Sequence, residues 1–218
     1  MPIIEQTADG SNTLFVPELD EHYHSVKGAR TESEHIFINM GLKHSQVLSP
    51  HVLEIGFGTG LNAFLTLLEA ERSGRKIHFT TIERYPLSEE IIRQMDYPAQ
   101  IEPAREADYY ALHQAAWNTP VAITPYFNLH KIEGDFTTYP FEGGYDVVYF
   151  DAFAPEKQPE MWSQTLFDTL YNKMNPGGIL TTYCAKGVVR RMLQASGFIV
   201  ERLPGPPGGK REILRATK

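Results

Sequence analysis

The sequence predicts an α/β protein: a doubly wound, mostly parallel, Rossmann-like sheet of seven strands, with an antiparallel C-terminal edge strand and a small N-terminal extension. Three observations carry that prediction. An apolar run at residues 51–55 ends in glycines and passes straight into an amphipathic stretch. Strand and helix patterns then alternate as far as Gly197. The two strand patterns after it have no helix between them.

In chain order, residues 1–48 read as an accessory extension and 49–218 as the main domain. Short extended pieces lie near 13–17 and 21–24. A helix is expected over about 32–42, where Ile36, Phe37 and Met40 recur at helical spacing and Thr31 or Ser33 can cap the start. Residues 51–55 form a buried parallel strand, followed by a helix over 61–72. Residues 77–83 make a second strand. The helix over 88–95 opens with Ser88 as its cap and with Glu89 and Glu90 suited to the helix dipole. Ala104, Ala107, Ala111, Ala115 and Ala116 indicate a helix over 103–117, with Pro103 tolerated at its start. Residues 128–132 are a third strand, and the almost wholly apolar 145–150 a fourth and central one. A helix over 161–174, a strand over 178–183 and a helix over 186–196 stopped by Gly197 come next. Strands at 198–203 and 212–216, separated by the Pro/Gly-rich 204–209, close the sheet as an antiparallel pair.

At 218 residues and 42% hydrophobic, the chain supports one sizeable core. No run approaches eighteen apolar residues and the first residues lack a basic-then-apolar signal, so a soluble, cytoplasmic protein without membrane association is expected. Cys184 is the single cysteine and reads as a small core residue. His22 and His24 have no third ligand at sensible spacing, so no metal is expected. The net charge of −7 hides an asymmetry, since Cys184 to Lys218 carries eight basic and two acidic residues. That edge can face a polyanion or be a solvated surface and tail.

Gly56, Gly58 and Gly60 follow a strand and precede a helix, where backbone must approach a ligand or turn tightly. The spacing is Gly-x-Gly-x-Gly. A dinucleotide fingerprint needs its third glycine where Leu61 stands, and no Gly-Lys-Ser/Thr follows for a phosphate loop. Glu83 ends the second strand, where a carboxylate can accept hydrogen bonds from ribose hydroxyls. Glu54 lies inside an apolar strand, which is costly for a carboxylate without a partner.

The stretch 52–60, the acid at 83 and Asn175-Pro176-Gly177-Gly178 together resemble the class I S-adenosylmethionine-dependent methyltransferases. Phe57-Gly58-Thr59-Gly60-Leu61-Asn62, Asp151-Ala152-Phe153-Ala154-Pro155-Glu156-Lys157-Gln158-Pro159-Glu160-Met161-Trp162, and Gly187-Val188-Val189-Arg190-Arg191 leading to Gly208-Gly209-Lys210-Arg211-Glu212 narrow this further. They resemble the MnmC/MnmD family of tRNA methyltransferases, which complete 5-methylaminomethyl-2-thiouridine at the wobble position. The family often has Gly after its catalytic-strand Asp, where this chain has Ala152. Its bifunctional members carry an FAD-dependent oxidoreductase domain, and this chain is expected to be the standalone form.

The resemblance implies S-adenosylmethionine as cofactor, held by Glu54, Gly56, Phe57, Gly58, Gly60, Asn62, Glu83, Asp135 and Phe136. Glu54 would face the cofactor's cationic methionine end or anchor the loop. Asp135 would meet the adenine amino group, with a turn aspartate as the alternative. Asp151, at the end of the fourth strand, would hold the acceptor amine and receive or relay its proton, with a helix-cap or turn acid as the alternative. Phe153 and Pro155, with Trp162, could shape a pocket for a flipped-out base from the anticodon loop, although Trp162 and Phe57 also suit the core. Lys186, Arg190, Arg191, Lys210 and Arg211 are the candidates for tRNA phosphates. A functional link to an aminomethyl-uridine-forming or FAD-dependent enzyme follows from the same likeness. The competing readings are a methyltransferase acting on a small molecule or protein, and an inactive nucleic-acid-binding module.

Overall fold

A computed structural model describes residues 2–218. The N-terminal segment forms an antiparallel sheet of β1 (Ile3–Gln6), β2 (Asn12–Val16) and β3 (Glu21–His22). Helix α1 (Ala29–Ser33) then runs directly into a π-helical stretch, Glu34–Leu42, marked by Lys43 N–H donating to the Ile38 carbonyl. The expected cap from Thr31 or Ser33 is not made. The helix begins earlier, and the hairpin supplies acceptors for its first N–H groups: Thr7 Oγ1 for Ala29, Ser11 Oγ for Arg30 and Asp9 Oδ2 for Thr31. Orphan donors at a helix start are thus satisfied by side chains distant in sequence.

The main sheet has eight strands, not the expected seven. Its elements are β4 (His51–Ile55), α2 (Leu61–Ser73), β5 (Ile77–Glu83), α3 (Glu89–Met95), α4 (Tyr97–Ile101), α5 (Glu106–Gln114), β6 (Pro120–Thr124) and β7 (Phe127–Glu133). There follow β8 (Tyr145–Phe150), α6 (Gln164–Lys173), β9 (Met174–Thr182), α7 (Gly187–Ser196), β10 (Ile199–Pro204) and β11 (Glu212–Thr217). The spatial order is β10-β11-β9-β8-β4-β5-β7-β6. The centre is parallel, and β11 and β10 add antiparallel at one edge as expected. The additional strand, β6, pairs antiparallel with β7 at the other edge. None of its five residues is fully buried, so it leaves no alternating apolar signature.

Three helices differ from expectation. Residues 103–117 divide into a 3₁₀ turn, Pro103–Arg105, and α5, and Trp117 leaves the helix to bridge to Lys131. Pro159–Met161 likewise forms a separate 3₁₀ turn, and α6 begins afresh where Ser163 accepts from Leu166 N–H. The short α4 was not anticipated. Ser88 and Gly197 cap α3 and α7 as read from the sequence.

Strand residues alternate between two cores, one on each face of the sheet. Val52 and Val147 join Phe64, Phe79 and Tyr149 on one side. Leu53, Ile55, Val148 and Phe150 join Trp162, Phe167 and Leu193 on the other. β4 lies between β5, the next strand in sequence, and β8, so the strand order reverses there. Such a switch point opens a crevice at the carboxyl ends of the strands. No helix among the described residues is long and apolar enough to cross a membrane.

Candidate functional site

A cavity of about 880 Å³ occupies that crevice. Gly56, Phe57, Gly58 and Thr59 form one wall, Glu83 to Tyr85 and Gly134 to Thr137 a second, and Asp151 to Ala154 a third. The N-terminal segment supplies the fourth, through Tyr23, His24 and Glu32 among others. Sequence reasoning missed that wall. The extension carries no motif, and only the fold-back of β3 and α1 brings it to the site.

The glycine loop is held from behind. Thr59 Oγ1 accepts from Tyr97 Oη at 3.2 Å and lies 3.1 Å from His24 Nε2, while its carbonyl accepts from Tyr109 Oη at 3.0 Å. Burial keeps His24 neutral, with its pKa pushed down to about 4. Gly58 has φ of +51°, and a Cβ there would stand 3.0 Å from the Tyr23 ring, so the loop passes beneath that ring only as glycine. Gly60 does not line the cavity. A side chain there would press on His113, so this glycine allows α2 to start close against α5.

Phe57 lines the cavity and also packs into the core. Its ring packs on His113 and Trp117 at 5.0 and 6.1 Å. The buried Lys131 ammonium lies 4.4 Å from the Trp117 centroid and 5.3 Å from that of Phe57 and donates to the His113 carbonyl. Burial brings the pKa of Lys131 down to about 8.

The acids occupy distinct environments. Glu83 accepts from Gly58 N–H at 3.0 Å and Tyr85 N–H at 2.8 Å, one on each oxygen. It therefore shapes the loop and retains lone pairs toward the cavity. Asp135 accepts from the N–H and hydroxyl of Thr137 and pairs with Arg84 at 3.0 Å. The Thr137 hydrogen bonds, helped by Arg84, hold its pKa below the usual carboxylate value. This is turn geometry at the cavity rim. Phe136, also on the rim, packs on Phe141 and Phe150. Glu54 is wholly inaccessible and does not line the cavity; the polar side chains that act on it are Thr81 and Asn62. Burial drives its pKa far up, against the opposing hydrogen bonds of Thr81 and Asn62.

Asp151 faces the cavity at the end of β8. Burial raises its pKa to about 7, against the opposing hydrogen bond from Asn62 Nδ2 to Oδ2 at 2.8 Å. Asn62 thus positions Asp151. Phe153 lines the cavity edge-to-face with Tyr23 at 5.1 Å, and Trp162 is buried in the core, donating to the Phe153 carbonyl at 2.7 Å. Pro155 lies outside the lining.

The basic candidates separate. Lys186 and Lys210 line the cavity and pair with Glu156 and Glu32, whereas Arg190, Arg191 and Arg211 stand apart from it. Among the described residues, no three His, Cys, Asp or Glu side chains gather as metal ligands. His22 turns to Glu5 and His24 to Thr59.

The glycine-lined wall and the free lone pairs of Glu83 fit a polar, nucleoside-bearing methyl donor. Comparisons with known proteins agree. Residues 126–218 match the model of a family described as S-adenosyl-L-methionine-dependent methyltransferase. The tRNA 5-methylaminomethyl-2-thiouridine biosynthesis bifunctional protein MnmC of Cupriavidus metallidurans is 32% identical over 97% of this chain, and that of Pseudomonas entomophila 31% over 92%. The chain spans about a third of the length of these relatives (33% of each). The crystal structure of MNMC2 from Aquifex aeolicus superposes with a TM-score of 0.79 at 25% identity, covering 99% of this chain and 70% of that one. Family model, relatives and fold thus agree in their likeness to the class I S-adenosylmethionine-dependent methyltransferases.

Proposed function

We propose that this chain methylates the aminomethyl amine of 5-aminomethyl-2-thiouridine at the tRNA wobble position, giving 5-methylaminomethyl-2-thiouridine. The observation that carries the reading is Asp151, a carboxyl with a pKa raised to about 7, set in the cavity wall beside the glycine loop. The names of the MnmC relatives supply the substrate class.

When bound, S-adenosylmethionine supplies an electrophilic methyl on a sulfonium that leaves as a neutral thioether. Gly56, Gly58 and Glu83 would hold it, with Asp135 and Phe136 at the rim. An alkylammonium is protonated near pH 7 and has no lone pair to attack with. The Asp151 carboxylate accepts one proton from it, which frees the nitrogen lone pair for the methyl that the bound cofactor would supply in exchange for its neutral thioether. A carboxyl poised near 7 suits that exchange better than one at its ordinary value. Asn62 fixes the carboxylate's direction, and Phe153 and Tyr23 form an aromatic edge for an extruded base. Arg190, Arg191 and Arg211, with Lys186 at the rim, provide the phosphate-facing edge. The acceptor's aminomethyl group must be supplied by a separate reaction, one that forms aminomethyl-uridine or is an FAD-dependent modification.

The test is methyl transfer from labelled cofactor to tRNA bearing the aminomethyl group, followed by mass spectrometry of the nucleosides. A new methylaminomethyl nucleoside supports the reading, and label absent from tRNA refutes it.

A further inference from the structure

We propose that Glu32 and Tyr183 form the seat for the acceptor's ammonium, and that Lys210 occupies this seat until the substrate displaces it. The inference rests on the amine-acceptor reading above and identifies the residues that select a cationic substituent.

Glu32 is only 6% exposed, on the wall contributed by α1. A carboxylate so enclosed needs a cation or several donors. It has the Ser25 N–H on Oε1 at 3.1 Å and the Lys210 ammonium on Oε2 at 3.1 Å. The same ammonium stands 3.9 Å from the centroid of the Tyr183 ring. Tyr183 is itself fixed, since its hydroxyl donates to the Ala152 carbonyl at 2.8 Å, next to Asp151. Glu32, Tyr183, Lys210 and Asp151 all line one cavity. Glu32 and Lys210 also act on the Asp151 carboxyl with opposite sign, so the seat and the proton acceptor feel each other's charge. A carboxylate and an aromatic face around one ammonium form a cation-binding cage.

The occupant has the same chemical head group as the proposed acceptor, a primary ammonium on a methylene. Lys210 projects from the turn between β10 and β11, and its side chain is 40% exposed, so swinging outward returns it to water at little cost. Exchange of one ammonium for another leaves Glu32 paired throughout. A uridine without the amine either leaves Lys210 in the seat and gains nothing from it, or displaces Lys210 and leaves Glu32 buried and unpaired. This assigns Lys210 a role opposite to that of a phosphate contact: its removal should strengthen substrate binding.

The experiment compares the full chain with Lys210→Met and Glu32→Gln. Ethylammonium chloride is titrated at constant ionic strength while the Tyr183 ring resonances are followed by NMR, and KM for aminomethyl-tRNA is measured at several salt concentrations. If the lysine leaves the seat open about a tenth of the time, Lys210→Met should bind ethylammonium about tenfold more tightly and lower KM with no change in salt slope. Glu32→Gln should lose ethylammonium binding while keeping cofactor affinity, which also reports that it folds. A raised KM with a flattened salt slope in Lys210→Met, or equal ethylammonium affinity in all three proteins, overturns the proposal. The ethylammonium titration reads the seat even if wild-type protein fails to methylate tRNA, so the two readings fail separately.

Discussion

Replacing Asp151 by Asn keeps the side chain's shape and an oxygen for Asn62 while removing the carboxylate, so stability and rate should move in opposite directions. The folded pKa of about 7 lies roughly three units above the ordinary 3.8, and at about 1.4 kcal/mol per unit this is about 4 kcal/mol as an upper bound. Because the folded value is raised, Asp151 favours folding fully below about pH 4. That contribution is lost as pH rises through about 7. Asn does not ionise, so Asp151→Asn should gain on wild type between those values and be several degrees more stable at about pH 8.5. Acids that do not feel the Asp151 charge are common to both proteins and cancel in the difference. In the same samples, loss of the proton acceptor should lower methyl transfer by about 10² to 10⁴. Thermal unfolding at about pH 5 and about pH 8.5, paired with labelled-cofactor transfer assays, measures both. Parallel pH dependence of the two proteins' stability, or a variant within threefold of the wild-type rate, would refute the reasoning.

Three further outcomes are expected. Thr59→Val leaves the buried His24 ring and Tyr97 hydroxyl without their shared partner, at about 1 to 3 kcal/mol, and should weaken cofactor binding measured by calorimetry more than Phe64→Ala, which costs about 3 to 5 kcal/mol in the core on denaturant unfolding. Gly58→Ala places a methyl group 3.0 Å from the Tyr23 ring at φ of +51°, so cofactor affinity should fall at least tenfold in the same calorimetry with only a modest change in melting temperature. Removing Arg190, Arg191 and Arg211 together should lower tRNA affinity and reduce the slope of log K against log salt by about 2, read from binding isotherms at several salt concentrations.

The parallel centre of the fold was legible because β4, β5, β8 and β9 are buried on both faces and read as apolar runs between helices. β6 and β1 were not, since edge strands are held by backbone pairing and their side chains face partly to water. The loop and Asp151 were legible because glycine spacing and a strand-end acid are local signals. Glu32, Tyr23 and Tyr183 were not, because each becomes part of the site only through a contact far away in sequence. Lys210 shows the limit of charge counting. Its charge pointed to phosphate, but its position beside Glu32 depends on how the β10–β11 turn folds over α1. Phe57 and Trp162 were ambiguous from residue type; packing puts Trp162 in the core, whereas Phe57 is buried and still lines the cavity.

The docking of the N-terminal hairpin has a consequence for folding order. Asn12 reaches the carbonyls near Met95, Thr13 and His24 bond each other, and His24 meets Thr59, so the segment's contacts bridge long stretches of chain. Contacts of such sequence separation carry a large closure entropy and form after local ones. The hairpin, which precedes its docking surface in the chain, thus waits for α3, α4 and the glycine loop to form. The cavity's fourth wall closes as a late event, and its opening is a sub-global unfolding step distinct from loss of the sheet. Amide hydrogen exchange should show residues 12–24 opening more readily than β4 or β8, with cofactor slowing that opening because the ligand binds only where the wall is in place.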